Sequence, residues 1–260
     1  MTDRYVRYDV TDGAATLTLD SPHNRNALSG ELTAELRQGL ADAAADPGVR
    51  AVVLTHTGGT FCAGADLGEA SAAGAEPDPA VIAGQRSRSM TGLLRAIVEL
   101  PKPVIGRIDG HVRAGGMGLA GACDIVVAGP KSTFALTEAR LGLAPSIVSL
   151  TLLPRLTSRA AGRYFLTGEK FGPAEAERLG LVTIAAQDPA AATETLLAEL
   201  RQCSPQGLAE SKPLTTAAIL AGFDAEAERL AAQSARLFGS PEALEGMTAF
   251  LQKRAPRWAQ

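Results

Sequence analysis

The chain of 260 residues has few cysteines, few aromatic residues and no long hydrophobic run. Its three cysteines, Cys62, Cys123 and Cys203, lie far apart, a spacing that fits neither a disulfide framework nor a zinc site and is typical of a reducing compartment. No apolar run is long enough to cross a membrane, and the N-terminal segment lacks the pattern of a signal peptide. These absences predict a soluble cytoplasmic protein with no metal site and no membrane partner.

A strong excess of positive charge is also missing. The formal net charge is −3, from 25 basic and 28 acidic side chains, and this balance argues against nucleic acid as a partner. Hydrophobic residues make up 46% of the chain, which is ample for a globular core. The length suits one domain, or one domain with a helical appendage.

The order of hydrophobic patterns predicts an α/β fold. Alternating residues in "YVRYDV" and "AATLTLD" flank the turn "TDG" and predict an antiparallel hairpin. Ser29 is a candidate N-cap for a helix with Leu32, Leu36 and Leu40 on one face. The segments "RAVVLTH", "PVIGRID" and "DIVVA" read as buried strands that alternate with helices, which indicates parallel crossovers. Residues 68–80 are predicted to form a mobile loop, and the chain from about residue 157 is predicted to be mostly helical.

Two glycine-rich turns each follow a predicted strand and open a helix. They are "GGTFCAGADL" at residues 58–67 and "AGGMGLAG" at residues 114–121. Ligands of parallel sheets gather at the carboxyl ends of the strands, where helix N-termini offer unpaired N–H groups. One N–H from each turn could converge on a single oxygen and form an oxyanion hole for a thioester carbonyl. Alternatively, the glycines only permit tight turns.

Residues 116–121 also spell G-x-G-x-x-G, the pattern of a dinucleotide site, and Glu138 supplies an acid about twenty residues later. The pattern lies in the middle of the chain and leaves the other glycine turn unexplained, so a nicotinamide site is the weaker interpretation. The sequence contains neither a P-loop nor the G-x-S-x-G turn of a nucleophilic serine.

Six segments in order resemble the crotonase superfamily, the enoyl-CoA hydratases and isomerases, over essentially the whole chain. They are "SPHNRNALS", "FCAGADL", "GHVRAGGMGLAGACDIVVA", "FALTEARLGLAP", "LTGEKFGPAEAERLGLV" and "SPEALEGMTAFLQKRAPRW". The resemblance implies a spiral of ββα units over residues 1–195 and a C-terminal helical region over residues 196–260 for trimerisation or as a lid. It also implies a homotrimer or a dimer of trimers.

The resemblance implies a role for several residues by position. Ala65 and Gly115 match the two backbone donors of the oxyanion hole. Matches to positions that bind coenzyme A are Arg25, Ala27, Ala63, Asp66, Leu67, Phe250 and Lys253. The last two match a pair that reaches coenzyme A across a subunit boundary, although a lysine at a helix end also favours the helix dipole. No metal or redox cofactor is expected, because coenzyme A arrives as part of the substrate.

The best-known hydratases of this superfamily hold the attacking water between two glutamates, and this sequence retains one. The first belongs to a "GGGxE" pattern, whose final position is Gly118 here, and the second matches Glu138. A buried Glu138 would have a raised pKa and could transfer a proton. We therefore expect an enoyl-CoA hydratase with a single glutamate acid/base. The alternatives are a Δ3,Δ2-enoyl-CoA isomerase and a non-catalytic acyl-CoA-binding relative.

Other polar residues near these motifs have two interpretations each. Ser146 lies where other branches of the superfamily carry an aspartate, and its hydroxyl could orient water or cap a helix after Pro145. His56 and His111 have no serine or cysteine partner in the pattern and are expected to be structural. Arg113 precedes the second glycine turn, where it could contact the ligand or pair with an acid.

Overall fold

Two β-sheets organise the computed structural model, which describes residues 4–66 and 79–260. The larger sheet has the order β1-β2-β3-β5-β7-β9 and the smaller one has the order β4-β6-β8. The strands are β1 (Val6–Thr11), β2 (Ala14–Leu19), β3 (Ala51–His56), β4 (Thr60–Cys62), β5 (Val104–Ile108), β6 (His111–Arg113), β7 (Ile125–Ala128), β8 (Thr133–Ala135) and β9 (Ile184–Ala185).

Helices connect the strands and make up most of the C-terminal part. The α-helices are α1 (Gly30–Ala45), α2 (Pro79–Glu99), α3 (Gly115–Ala122), α4 (Ser149–Leu152), α5 (Ser158–Thr167), α6 (Pro173–Leu179), α7 (Pro189–Gln202), α8 (Pro205–Phe238) and α9 (Pro241–Leu251). Short 3₁₀ turns lie at Pro22–Asn24, Glu138–Leu141 and Arg257–Ala259. No helix among the described residues is long and apolar enough to span a membrane.

A repeated unit builds the two sheets together. The pairs β3-β4, β5-β6 and β7-β8 each give one strand to the larger sheet and the next strand to the smaller one. A helix then follows the first two pairs, and a 3₁₀ turn follows the third. Apart from the antiparallel pair β1-β2, all ladders between these strands are parallel. The predicted α/β fold with parallel crossovers is confirmed.

Local signals in the sequence explain the first elements. Asp12 and Gly13 both have positive φ, as a tight turn of the hairpin β1-β2 requires. The hydroxyl of Ser29 accepts a hydrogen bond from the N–H of Leu32, and this cap starts α1. Leu36 and Leu40 follow at helical spacing and are buried against the sheet. The predicted hairpin and the predicted N-cap are both confirmed.

Other predictions about organisation have different outcomes. The strands of the smaller sheet were not predicted, since three residues are too few to show an alternation. The predicted strand "LVTIA" is reduced to β9, which has two residues. Most of the predicted mobile loop at 68–80 lies outside the described residues. The boundary between residues 195 and 196 falls inside α7, and the division into core and helical region stays a prediction.

Two lysines hold the carboxyl ends of helices on the side of the core away from the glycine turns. The buried Nζ of Lys212 lies 2.7 Å from Asp124 Oδ2 and donates to the carbonyl oxygens of Ile97 (2.9 Å) and Lys102 (3.1 Å). The Nζ of Lys102 donates in turn to the carbonyl of Ala43, at 2.6 Å. Because the last carbonyls of a helix lack partners within the helix, these ammonium groups satisfy the ends of α1 and α2.

Candidate active site

The two glycine turns lie against each other at the carboxyl ends of the parallel strands. The N–H of Leu28 donates to Gly64 O at 2.8 Å, which holds the first turn beside the segment before α1. A Cβ atom placed on Gly64 would lie 3.7 Å from Gly115 N, and one placed on Gly115 would lie 2.7 Å from Leu28 Cδ1. Gly64 also has a φ of +95°. Gly64 therefore requires glycine, whereas a Cβ on Gly115 would displace the Leu28 side chain, and the close approach of the two positions brings the two turns into one site.

The backbone N–H groups of Ala65 and Gly115 are free to bind a ligand. In the part of the chain that the structure describes, neither group has a hydrogen-bond acceptor. Gly115 is the first residue of α3, and the first N–H groups of a helix have no partner within the helix. Ala65 forms a parallel bridge with Leu28 and is exposed. The structure thus brings together the two amides that the sequence predicted as oxyanion donors.

Ala114 sets the direction of the second turn. Its φ of 45° and ψ of −114° lie in a region that residues with a Cβ rarely adopt, and strain of this kind costs about 1–3 kcal/mol. Its methyl group fills the space over Gly64, since a Cβ on Gly64 would lie 2.9 Å from Ala114 Cβ. Sequence reasoning missed Ala114, although an alanine stands there at the position of the first glycine of the "GGGxE" pattern.

Glu138 is a buried acid three residues beyond β8, whose Ala135 accepts the N–H of Ala114 at 3.2 Å. It opens the 3₁₀ turn Glu138–Leu141, its residue is 9% exposed, and its Oε2 has no hydrogen-bond partner among the described residues. Burial raises the pKa of Glu138 to about 7, and a hydrogen bond from its own backbone N–H opposes this rise. A carboxyl group with such a pKa can both accept and return a proton near neutral pH.

Helix α9 supports the turn that carries Glu138. A Cβ on Gly246 would lie 2.5 Å from the carbonyl carbon of Leu141, and one on Gly142 would lie 2.6 Å from the carbonyl carbon of Glu242. The backbone of the turn and the backbone of α9 are thus in direct contact. Sequence reasoning missed this pair of glycines, although a glycine inside a helix, such as Gly246, is a known signal of close packing.

No acid stands at the position of the first family glutamate. Gly118 is buried in α3, and a Cβ on it would lie 2.7 Å from Val148 Cγ1 and 3.2 Å from Leu94 Cδ1. A Cβ on Gly116 would lie 2.7 Å from Cys62 Cβ, and one on Gly121 would lie 3.0 Å from Thr151 Oγ1. The glycines of the G-x-G-x-x-G pattern therefore serve the packing of α3 against its neighbours.

The segments matched to coenzyme A positions near the N-terminus and the first turn lie side by side. Asn24 Nδ2 donates to Asp66 Oδ2 at 2.9 Å and joins the two segments. Arg25 is exposed and ends its 3₁₀ turn with a φ of 59°, whereas Ala27 is buried. The half-buried Ala63 lies two residues before Ala65, and Leu67 lies outside the described residues.

Phe250 and Lys253 lie at the exposed end of α9. Phe250 is 55% exposed in the single chain, and Lys253 follows the helix with a φ of 54°. No hydrogen bond or ion pair within the described ranges links either residue to the segments around Asn24 and Asp66. Their predicted contact runs between subunits, so it stays a prediction.

Ser146 does not cap a helix, contrary to one of its two interpretations. Helix α4 begins only at Ser149, and the Ser146 hydroxyl instead donates to Gln233 Oε1 of α8 at 3.1 Å. Gln233 was not predicted, because it belongs to the long C-terminal helix and to no motif.

The neighbouring basic side chains are held by the framework. The Arg113 guanidinium donates to the carbonyl oxygens of Val112 (2.8 Å) and Thr133 (2.6 Å), so Arg113 fixes the smaller sheet and pairs with no acid among the described residues. His56 Nε2 accepts the N–H of Asp109 at 3.1 Å, and His111 Nδ1 lies 2.8 Å from Thr133 Oγ1. No cluster of His, Cys, Asp or Glu within residues 4–66 and 79–260 is placed to hold a metal ion.

Comparison with known proteins agrees with this geometry. The sequence model of the enoyl-CoA hydratase/isomerase family matches residues 9–260. The crystal structure of an enoyl-CoA hydratase from Mycobacterium avium is 59% identical, with a TM-score of 0.91, and the match covers 99% of this chain and 100% of that chain.

Two curated relatives are similar over nearly their whole length. The "Putative enoyl-CoA hydratase" of Thermus thermophilus is 36% identical over 249 residues, which are 94% of this chain and 96% of that protein. The 1,2-epoxyphenylacetyl-CoA isomerase of Escherichia coli K12 is 32% identical over 258 residues, 98% of each chain. The fold, the paired glycine turns and these matches agree, and the chain belongs to the enoyl-CoA hydratase/isomerase family of the crotonase superfamily.

Proposed function

We propose that the protein is an enoyl-CoA hydratase in which Glu138 is the only acid/base. The observation that carries this proposal is the buried, unpaired carboxyl oxygen of Glu138, three residues after Ala135, whose carbonyl accepts the N–H of Ala114 next to the free amide of Gly115. The amides of Ala65 and Gly115 would stabilise the negative charge that forms on the thioester oxygen. The carboxylate of Glu138 would move the proton that hydration requires.

The reaction needs one water molecule and one proton carrier. With the thioester oxygen held by the two amides, Glu138 takes a proton from water, and the water oxygen bonds to C3 of the 2-enoyl group. The electrons of the double bond move toward the thioester and give an enolate, whose negative oxygen the amides stabilise. Protonated Glu138 then returns its proton to C2, which completes the addition of water and regenerates the carboxylate.

The second candidate is a Δ3,Δ2-enoyl-CoA isomerase, and the Gly118–Val148 contact favours it. Because Val148 occupies the space beside Gly118, no residue that the structure describes puts a second carboxylate there to hold the water. Isomerisation needs only one group that removes a proton from C2 and returns it at C4. A third candidate, an acyl-CoA-binding protein without turnover, rests on the same missing acid.

The remaining parts of the proposal concern binding and assembly. The residues that would bind coenzyme A are Arg25, Ala27, Ala63, Asp66 and Leu67. Coenzyme A enters as part of the substrate, and the mechanism uses no separate cofactor. Phe250 and Lys253 would complete this site across a boundary between subunits of a homotrimer or a dimer of trimers. Exposed apolar side chains at the C-terminal end support a subunit contact there: Leu244, Phe250, Leu251 and Trp258. The proposed location of the protein is the cytoplasm.

The test is the turnover of crotonyl-CoA in deuterated water by the wild type and by Glu138→Gln. We expect the wild type to give a 3-hydroxy product with deuterium at C2, and the variant to lose about a hundredfold or more in kcat. Glu210→Gln, an exposed carboxyl replaced in the same way, is the matched control. An isomerase would convert 3-enoyl-CoA to 2-enoyl-CoA without forming the hydroxyl. Tight binding of acetoacetyl-CoA without turnover in either assay would indicate the non-catalytic protein.

A further inference from the structure

Asn26 is a buried polar residue in the segment that leads from the first 3₁₀ turn into α1. It is 1% exposed and has a φ of 55°, a left-handed conformation that asparagine adopts more readily than most residues with a Cβ. It stands in "SPHNRNALS" between Arg25 and Ala27. A buried amide side chain must place two donors and one acceptor, so its partners show which segments it joins.

The side chain of Asn26 joins two distant parts of the chain through three hydrogen bonds. Its Oδ1 accepts the N–H of Ser21 at 2.7 Å. Its Nδ2 donates to the carbonyl oxygens of Thr60 at 2.7 Å and Thr57 at 3.2 Å. These two threonines are the ends of the short loop between β3 and β4, and β4 leads directly to the turn that contains Ala65. Asn26 therefore fixes the start of β4 against the segment before α1.

Two residues after Asn26, the backbone of the same segment holds the peptide that carries the Ala65 amide. The N–H of Leu28 donates to Gly64 O at 2.8 Å, and Leu28 forms a parallel bridge with Ala65. Because a trans peptide is planar, the C=O of Gly64 and the N–H of Ala65 point in opposite directions from one peptide unit. The hydrogen bond from Leu28 therefore sets the direction in which the N–H of Ala65 points.

Leu28 also lies beside the second free amide. A Cβ on Gly115 would lie 2.7 Å from Leu28 Cδ1, so this side chain packs against the start of α3. On its C-terminal side Leu28 is followed by helix α1 with its Ser29 cap, and on its N-terminal side by the hydrogen bonds of Asn26. Loss of the Asn26 amide would therefore release one of the two supports of Leu28.

We propose that Asn26 is a positioning residue for the oxyanion hole. Its amide holds the start of β4 and the segment before α1 in one fixed arrangement, and Leu28 then orients the peptide between Gly64 and Ala65. Its loss should weaken the stabilisation of the charged thioester oxygen, and so lower kcat, more than it weakens binding of the substrate. The inference rests on the proposed function, since it takes the N–H of Ala65 to bind that oxygen.

Asn26→Asp tests this role with the smallest change of shape. The variant keeps an oxygen that can accept from Ser21 and a residue that tolerates positive φ, but it turns an oxygen toward the carbonyls of Thr57 and Thr60. Asn26→Gly keeps the backbone conformation and removes the side chain without adding a charge. In both variants kcat for crotonyl-CoA should fall about tenfold or more, with KM changed less than about threefold.

The matched control is a substitution that lowers stability far from the glycine turns. Leu197 is 3% exposed in the cluster that packs α7 on the larger sheet, apart from the main core. Leu197→Ala should lower the melting temperature, because it leaves a cavity, and should keep kcat and KM.

A second measurement reads the state of the oxyanion hole without turnover. The probe is 4-dimethylaminocinnamoyl-CoA, whose absorption moves to longer wavelength when hydrogen bonds stabilise negative charge on its thioester oxygen. The wild type and Leu197→Ala should shift the absorption of the bound probe. Both Asn26 variants should bind the probe and lose most of the shift.

The outcomes separate a failure of this inference from a failure of the proposed function. Folded Asn26 variants with the kcat and the spectral shift of the wild type would overturn the positioning role and leave the hydratase intact. An equal loss of the shift in Leu197→Ala would also overturn it, since the loss would then follow stability. A shift that the wild type shows and the Asn26 variants lose, without hydration of crotonyl-CoA, would uphold the positioning role and reject the hydratase.

Discussion

Val148 fills the space beside Gly118, since a Cβ on Gly118 would lie 2.7 Å from Val148 Cγ1. The two residues together replace the first family glutamate with an apolar contact. A glutamate at this position would require Val148 to move, because its first carbon would already lie 2.7 Å from the valine. The absence of the acid is thus a property of two segments, α3 and the residues before α4.

The first prediction concerns this pair. Gly118→Ala should lower the free energy of unfolding by about 1–3 kcal/mol through overpacking. Val148→Ala in the same chain should recover part of that loss, with a coupling of about 0.5–3 kcal/mol in a double-mutant cycle. Urea unfolding of the wild type, the two single variants and the double variant measures this coupling free energy. Additive losses would show that the two side chains do not share this space.

The second prediction is a pH dependence of the rate. Hydration requires the Glu138 carboxylate, and burial raises the pKa of that group to about 7. For the wild type, kcat/KM should therefore fall about tenfold per pH unit below pH 7 and level off above it. Stopped-assay rates between pH 5 and 9 test this. A rate that is flat down to pH 5 would mean that another group moves the proton.

The third prediction is the effect of the same group on stability. The folded-state pKa of Glu138 lies above its ordinary value of 4.5, so the folded protein binds the proton more tightly than the unfolded chain does. This contribution to stability is complete below pH 4.5 and is lost as pH rises through about 7. Glu138→Gln should match the wild type at pH 4.5 and be more stable by up to about 3 kcal/mol at pH 8. The control is Glu210→Gln, which should show no such pH-dependent difference.

The fourth prediction concerns the strained residue before the oxyanion amide. Ala114 has a φ of 45°, which glycine adopts without strain. Ala114→Gly should raise the free energy of unfolding by about 1 kcal/mol, the strain relieved being larger than the added entropy of the unfolded chain. Ala114→Val should lower it, because a β-branched side chain tolerates this conformation least. Thermal unfolding at one pH ranks the three proteins, and a less stable glycine variant would contradict the assignment of strain.

The fifth prediction links α9 to catalysis. Gly246→Ala would place a methyl group against the backbone of Leu141 and displace the turn that carries Glu138. We expect a loss of about tenfold or more in kcat along with lower stability, since small displacements of a catalytic group are costly. Gly222→Ala in α8, where a Cβ meets nothing within 4 Å, should instead stabilise the protein by about 0.5–1 kcal/mol. A Gly246→Ala variant with full kcat would show that the packing of α9 does not affect catalysis.

The predictable parts of the fold were those that leave a periodic or local signal. The hairpin, the Ser29 cap and the parallel strands follow from alternation, capping and buried runs of residues. The smaller sheet could not be predicted, because its three strands are paired only through contacts between distant segments.

The parts of the site that could be predicted are likewise those with a local signal in the sequence. The two turns belong to contiguous motifs, the sequence indicated that they meet, and they do. Glu138 was assigned through the family resemblance, and its place beside the two amides stays a prediction. The contacts of Gly246 with Leu141 and of Gln233 with Ser146 join segments about ninety to a hundred residues apart, and no local pattern encodes them. Ser146 is an example. Its position after Pro145 suggested a helix N-cap, whereas in the structure its hydroxyl donates to Gln233 of α8.

Lys212 and Lys102 hold the carboxyl ends of α2 and α1, on the side of the core away from the glycine turns. Lys212 holds the carbonyl of Ile97, and Met90 lies seven residues earlier on the same helix, about 10 Å away. The end of α2 that is tied to the core is therefore distinct from the stretch at Met90, which lies beside Gly115. Substitutions at Met90 can change the surroundings of the glycine turns while the anchored end keeps its contacts. The helix thus combines a fixed end with a face beside the glycine turns that can vary without a matching loss of folding stability.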